Sequence, residues 1–185
     1  RLAERYNSDE LPPAESLFTF EAFIEMDVLM QQKSLASLEG TDLRQMTMVL
    51  DDIAESVHLS PLVITFSLTL LHQANYNQEL TVRKFGLEFV VTPAQMTLPG
   101  QDEQTQNVLM VLEKRLLQDP SRFEMVRGLI EKFAITAFPF SWGNYSSEEV
   151  VDAYLLYIES LFSGEELPDT PLCGLIKQLD NDSDF

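Results

Sequence analysis

The sequence is poor in cysteine and has no long apolar run. Cys173 is the single cysteine, so no disulfide can form within the chain, and a cytoplasmic, reducing environment is expected. The longest apolar stretch, residues 62–71, is interrupted by hydroxyl side chains and is about half as long as a membrane-spanning helix needs to be. These two absences argue against a small secreted domain and against a membrane protein.

Basic residues are also scarce: 12 Lys and Arg stand against 30 Asp and Glu, which gives a net charge of −18. A field of that sign repels nucleic acid and anionic membrane surfaces, and it attracts basic partners. Residues 148–185 hold ten acids and one base, whereas residues 81–132 hold seven of each. The charge therefore predicts a protein that binds another protein, without direct binding to nucleic acid or to a membrane.

The rest of the composition is typical of a folded globular protein, with 45% apolar and 23% charged residues. Residues 1–18 contain the polar run Asn7-Ser8-Asp9-Glu10 and the pair Pro12-Pro13, and they are expected to form an extended N-terminal arm. Residues 19–162 are expected to form a single mainly helical domain, followed by an acidic C-terminal tail over residues 163–185.

Hydrophobic periodicity predicts a mainly α, compact domain of five to six helices with a small β element near residues 80–92. The first helix is predicted over residues 19–33. A second is predicted after Thr41, its N-cap candidate. Its apolar side chains recur at spacings of 3, 4, 3 and 4 residues, at Leu43, Met46, Leu50, Ile53 and Val57.

Cap signals mark the remaining helices. Ser60 before Pro61 predicts a helix start. Residues 62–71 are apolar on every side and suit a buried helix or a strand, and the cap favours the helix. Ser146 and Glu149 form a capping-box pattern. The three later helices are predicted over residues 105–117, 121–137 and 146–162.

Two features predict where a partner binds. The connection over residues 138–145 carries aromatic side chains of the kind that anchor protein interfaces, although the same residues would also serve as a lid over the core. Acidic residues follow and would attract a basic segment. The expected partner-binding residues are Phe140, Trp142, Tyr145, Glu148, Glu149, Asp152, Glu165 and Glu166.

The sequence thus predicts an adaptor, chaperone or inhibitor that engages a basic or amphipathic segment of a partner protein. One alternative is a DNA mimic whose carboxylates imitate phosphates. Another is an enzyme that no linear motif reveals. The sequence has no Gly-rich phosphate loop, no Gly-x-Ser-x-Gly motif and no His-Glu-x-x-His motif, so we expect no enzyme activity, cofactor or metal. A homodimer is also possible, because the apolar stripes of the second helix and of the 121–137 helix suit a dimer seam as well as an internal core.

Overall fold

The fold is known from a computed structural model and is described for residues 18–182. Within that range the chain is mainly α, as predicted, with eight α-helices and one two-stranded antiparallel sheet. All of the predicted N-terminal arm except Phe18 lies outside the described residues. In chain order the elements are α1 (Phe20–Ile24), α2 (Val28–Ala36), α3 (Thr47–Ala54), α4 (Pro61–Gln73), β1 (Leu80–Lys84), β2 (Leu87–Val91), a 3-10 turn (Pro93–Gln95), α5 (Glu103–Arg115), α6 (Pro120–Ala137), α7 (Ser147–Ser163) and α8 (Pro171–Asp182).

Contacts between residues divide the chain into two compact units. Among the described residues, the first unit contains residues 18–81 together with Val90–Gln95, and the second contains Val82–Phe89 and residues 96–182. The β-hairpin is therefore divided, with its tip grouped with the second unit. The single domain over residues 19–162 stays a prediction.

Helix α4 is the centre of the first unit and packs against α2 and α3. Its N-cap forms as predicted, with the Ser60 hydroxyl accepting a hydrogen bond from the Val63 amide and Pro61 in the first turn. Its two buried hydroxyls are satisfied, because Ser67 donates to the Leu50 carbonyl at 2.5 Å and Thr65 donates to the Pro61 carbonyl at 3.1 Å. The apolar run that suited a helix or a strand is thus a buried helix.

The single first helix predicted over residues 19–33 is wrong. The chain forms α1 and α2 instead, separated at Asp27. The Asp27 side chain accepts a hydrogen bond from the Met30 amide at 2.8 Å, which starts a new helix. The capping hydrogen bond of Asp27 therefore starts a new helix even though the apolar pattern continues through this position.

The second predicted helix begins later than expected. Thr41 is not an N-cap, because its hydroxyl donates to the Leu38 carbonyl at 2.6 Å and the chain then turns until α3 begins at Thr47. Leu43 and Met46 are buried from this turn, while Val57 lies beyond the helix and is 59% exposed. The spacing identified most of the buried residues, but it did not predict that those before Thr47 lie in a turn rather than in a helix.

The second unit has its core between α5, α6, α7 and α8. Asp102, Asp119 and Ser146 cap three of these helices, and Ser146 with Glu149 completes the predicted capping box. The apolar spacing of α6 predicted a buried stripe of five residues, Phe123, Val126, Ile130, Phe133 and Ala137. All of them except Phe123 are buried. Because the stripe of α6 is buried within its own unit, it is not available as a seam between two copies, and the same holds for Leu50 and Ile53 of α3.

Helix α8 lies in the segment that the sequence predicted only as an acidic tail. Its apolar residues Leu172, Cys173, Ile176 and Leu179 are buried, and it packs against α6 and α7. Their spacing of one, three and three residues places them on one face of a helix. Part of the acidic segment therefore belongs to the core of the second unit.

Candidate interaction surface

The aromatic connection that follows α6 is mostly core. The Trp142 indole is 2% exposed and stacks on Phe133 with ring centroids 4.7 Å apart. Its ring N–H donates to the Tyr154 hydroxyl at 3.2 Å. Trp142 was expected to contact a partner, and that expectation fails because the side chain is buried inside its own unit. The lid alternative describes this residue correctly.

Two other aromatic side chains of the connection reach the surface. Phe140 is partly buried and contacts Phe89 edge to face at 6.0 Å, and Phe89 is itself 51% exposed. Tyr145 is 36% exposed. The Gln104 side chain donates to the carbonyls of Gly143 and Tyr145 and so fixes the end of the connection. Phe140 and Tyr145 remain available to a partner.

Three of the five predicted acids have roles within the second unit. Glu148 and Asp152 both accept hydrogen bonds from Arg115, which ties α7 to α5. Glu149 accepts from the Ser146 amide at 2.8 Å in the capping box. On the same helix, Glu159 pairs with Arg122 of α6. Arginines thus interrupt the carboxylates along α7, which does not favour the DNA-mimic alternative.

Glu165 and Glu166 are exposed, as the other three predicted acids are, and lie in the loop after α7. They follow Gly164, which ends α7 in a left-handed conformation with φ of 71°. Just before it, Leu161 and Phe162 are 58% and 68% exposed. This short stretch joins apolar and acidic groups that are adjacent in sequence.

A concave site of the second unit lies between α5 and α6, and we call it the α5–α6 groove. Its volume is about 640 Å³, within the range of ligand sites in proteins. The apolar part of the lining is Pro99, Leu109, Met110, Phe123, Ala134 and Ile135. The polar part is Gln101, Thr105, Gln106, Glu113, Arg127 and Glu131. None of the eight predicted site residues lines this groove.

Carboxylates neutralise the one cation of the groove. Arg127 donates to Glu131 at 2.9 Å and lies 3.7 Å from Glu124. These partners raise the pKa of the Arg127 guanidinium above its ordinary value, with the hydrogen bond to Glu131 as the largest cause. Glu113 adds a further carboxylate to the lining. The lining of the groove therefore combines apolar side chains with a net negative charge.

Sequence reasoning missed the groove for two reasons. It assigned Phe123 to the core stripe of α6, whereas this residue is only partly buried and faces the groove. It also identified no apolar face for the α5 helix, although Leu109 and Met110 follow the buried Val108 there. Three adjacent apolar residues on a helix cannot all face one core, so this run already indicated a second apolar face on α5.

Buried titratable groups occur elsewhere in the second unit. Burial lowers the pKa of the Lys84 ammonium well below its ordinary value, and its Nζ donates to the Thr136 carbonyl at 3.0 Å. Burial also raises the pKa of the Tyr154 hydroxyl. Neither residue lines the α5–α6 groove. The enzyme alternative stays a prediction.

A polar cluster holds α8 against its neighbours. Asp180 accepts a hydrogen bond from the Tyr157 hydroxyl at 2.5 Å and another from Lys132 Nζ at 2.8 Å. Burial alone would raise the pKa of Asp180, but the bonds from Lys132 and Tyr157 outweigh it, so this pKa lies below its usual value. The cluster closes the C-terminal end of α8 onto α6 and α7.

Comparisons with known proteins supply no assignment for this architecture. Neither the protein-family models nor the curated proteins nor the solved structures gave a match to the chain. Over residues 18–182, no helix has the length and apolarity to cross a membrane. In the same part of the chain, no group of three or more His, Cys, Asp and Glu could hold a metal ion.

Proposed function

We propose that the protein is an acidic protein-binding module whose α5–α6 groove receives an amphipathic, basic helix of a partner protein. The observation that supports this proposal is the mixed lining of the groove. Leu109, Met110 and Phe123 provide apolar contacts. Glu113 provides a carboxylate, whereas the carboxylate of Glu131 is already paired with Arg127. Laying the apolar face of a helix into such a groove is a recurrent way of recognising peptides.

The dimensions of the groove fit a short helix. On α5 the lining runs from Thr105 to Glu113, which is about 12 Å along the helix axis and matches roughly two turns of a partner helix. Met110 is 53% exposed and Phe123 is partly buried, so both retain apolar surface that a partner would cover. Burial of that surface supplies affinity, and the carboxylates select for Lys and Arg on the partner.

The negative charge of the whole chain also favours a basic partner. A net charge of −18 raises the rate at which a basic segment encounters the protein, and salt weakens this effect. The apolar contacts in the groove do not depend on salt in that way. We therefore expect binding to weaken moderately as salt rises, whereas a DNA mimic that relies on carboxylates alone would lose its partner.

A matched pair of variants tests the groove. The probe is a 14-residue helical peptide of Leu and Lys with its leucines on one face, of about the length of α5, and its affinity is measured by isothermal titration calorimetry. Met110→Arg places bulk and positive charge in the groove. Leu156→Arg makes the same change at a residue of α7 that is 46% exposed and lies outside the groove.

The two variants gain the same charge, so a difference between them isolates the groove. We expect Met110→Arg to weaken binding by at least about tenfold and Leu156→Arg by less than about threefold. Equal weakening by both would mean that the peptide responds to net charge alone and would contradict the proposal. Failure of the peptide to bind the unmodified protein would contradict it as well.

A further inference from the structure

Strand β2 is an exposed apolar edge. Among the described residues the sheet has two strands, so β2 has β1 as its single neighbour. Leu87, Phe89 and Val90 are 53%, 51% and 58% exposed. Natural edge strands are usually protected from pairing by Lys, Pro or a bulge, and Leu87–Val91 contains neither a lysine nor a proline. This edge therefore resembles a surface that another strand covers.

The turn of the hairpin determines which backbone groups point outward. Phe85 and Gly86 both have positive φ, at 53° and 76°, as a two-residue type I′ turn requires. In such a hairpin the residues flanking the turn exchange hydrogen bonds, and every second residue after them does the same. The amides and carbonyls of Leu87, Phe89 and Val91 consequently face β1. Those of Glu88 and Val90 face away from it.

We propose that two copies of this chain associate through antiparallel pairing of their β2 edges, with Phe89 of one copy opposite Phe89 of the other. In this register Glu88 of each copy pairs with Val90 of the other, so all outward-facing backbone groups of both residues form hydrogen bonds. The two Phe89 rings form a cross-strand aromatic pair, which is a favourable neighbour in a sheet. A shift by one pairing step would place Glu88 opposite Glu88 or Val90 opposite Val90, and either shift separates the two Phe89 rings.

The local charge explains why two acidic chains can meet at this edge. Across Leu80–Val91 there is one acid, Glu88, beside Arg83 and the buried Lys84. Arg83 donates to Glu88 at 3.0 Å and neutralises it. The hairpin is therefore one of the least acidic parts of a chain whose net charge is −18, so repulsion between copies is smaller here. Because long-range repulsion remains, salt should strengthen this association, whereas it should weaken the binding of a basic partner.

Register-specific disulfide trapping tests the pairing. In the proposed register Phe89 is a non-hydrogen-bonded pair with its symmetry mate, whose Cα atoms lie about 4.5 Å apart, within reach of a disulfide. Phe89→Cys should therefore form a covalent dimer under mild oxidation. Val90→Cys is the control, because the two substituted positions would be roughly 8 Å apart and beyond that reach. The native Cys173 is 2% exposed and contributes little background.

A second pair of variants tests the association itself by sedimentation equilibrium. Val90→Pro removes the outward amide of Val90, while Val90→Thr keeps that amide and a β-branched side chain of similar size. Two hydrogen bonds are lost in the symmetric dimer, so Val90→Pro should weaken association by at least about tenfold and Val90→Thr by less than about threefold. Fluorescence of the buried Trp142 verifies that each variant is folded.

Three results would overturn the pairing. The first is a chain that stays monomeric at about millimolar concentration in moderate salt, where a specific interface should be populated. The second is equal disulfide yield at the two cysteine positions, which would indicate random collision. The third is an association that Val90→Pro leaves unchanged, which would place the interface elsewhere. Each of these leaves the α5–α6 groove proposal untouched, because that proposal concerns other residues.

Discussion

Substitution of Trp142 distinguishes a core role from a partner-contact role. The indole is 2% exposed, stacks on Phe133 at 4.7 Å and donates to the Tyr154 hydroxyl. Replacing a buried tryptophan by alanine costs about 3–5 kcal/mol of unfolding free energy, because it removes apolar contacts and leaves a cavity. With a urea dependence of about 2 kcal/mol per molar, the midpoint of unfolding should fall by roughly 2 M. A surface tryptophan would lose about 0.5 kcal/mol or less.

Far-UV circular dichroism measures the unfolding of Trp142→Ala, since that variant has lost its fluorophore. Tyr154→Phe keeps the single tryptophan as a probe and removes the acceptor of its N–H, which should cost about 1–3 kcal/mol. In the unmodified protein acrylamide should quench Trp142 much less than it does in urea. The core placement would be refuted if Trp142→Ala lost under about 1 kcal/mol and quenching were equally efficient in both states.

Two further predictions concern local features of the second unit. Ser146→Ala removes the N-cap of α7 and should lower the unfolding free energy by about 1 kcal/mol in urea titrations; an unchanged midpoint would count against the capping box. The pKa of Asp180 is depressed in the folded protein, so its contribution to stability is present above the unfolded pKa of about 4 and is lost as pH falls through the folded value. Asp180→Asn should therefore reduce the loss of unfolding free energy that acid causes. If the unfolding free energies of the variant and of the unmodified protein fell equally steeply below about pH 4, this assignment would be contradicted.

Local signals in the sequence predicted the later helices well. Ser60 with Pro61, and Ser146 with Glu149, combine a capping side chain with an apolar pattern that starts at the same place, and both helices begin there. When the two signals conflict, the pattern alone misleads. Asp27 interrupts the first predicted helix because its carboxylate caps a new one, which periodicity does not encode.

The site was harder to predict than the fold, because it depends on which face of each helix meets a neighbour. Trp142 and Phe140 lie two residues apart in one connection, yet the first is in the core and the second is at the surface. Glu148 and Asp152 carry charge that a basic partner would favour, but Arg115 comes from another helix to neutralise both. These pairings join residues over 30 positions apart, and no spacing within one segment reports them.

Hydrogen exchange with and without the Leu–Lys peptide tests the central proposal most directly. The measurement maps protection along the whole chain and does not depend on any substitution. If the α5–α6 groove receives an amphipathic basic helix, the peptide should slow exchange in Glu103–Arg115 and Pro120–Ala137, the two helices that line it. Protection confined to α7 and its acidic C-terminal flank, with none in α5 and α6, would contradict the proposal.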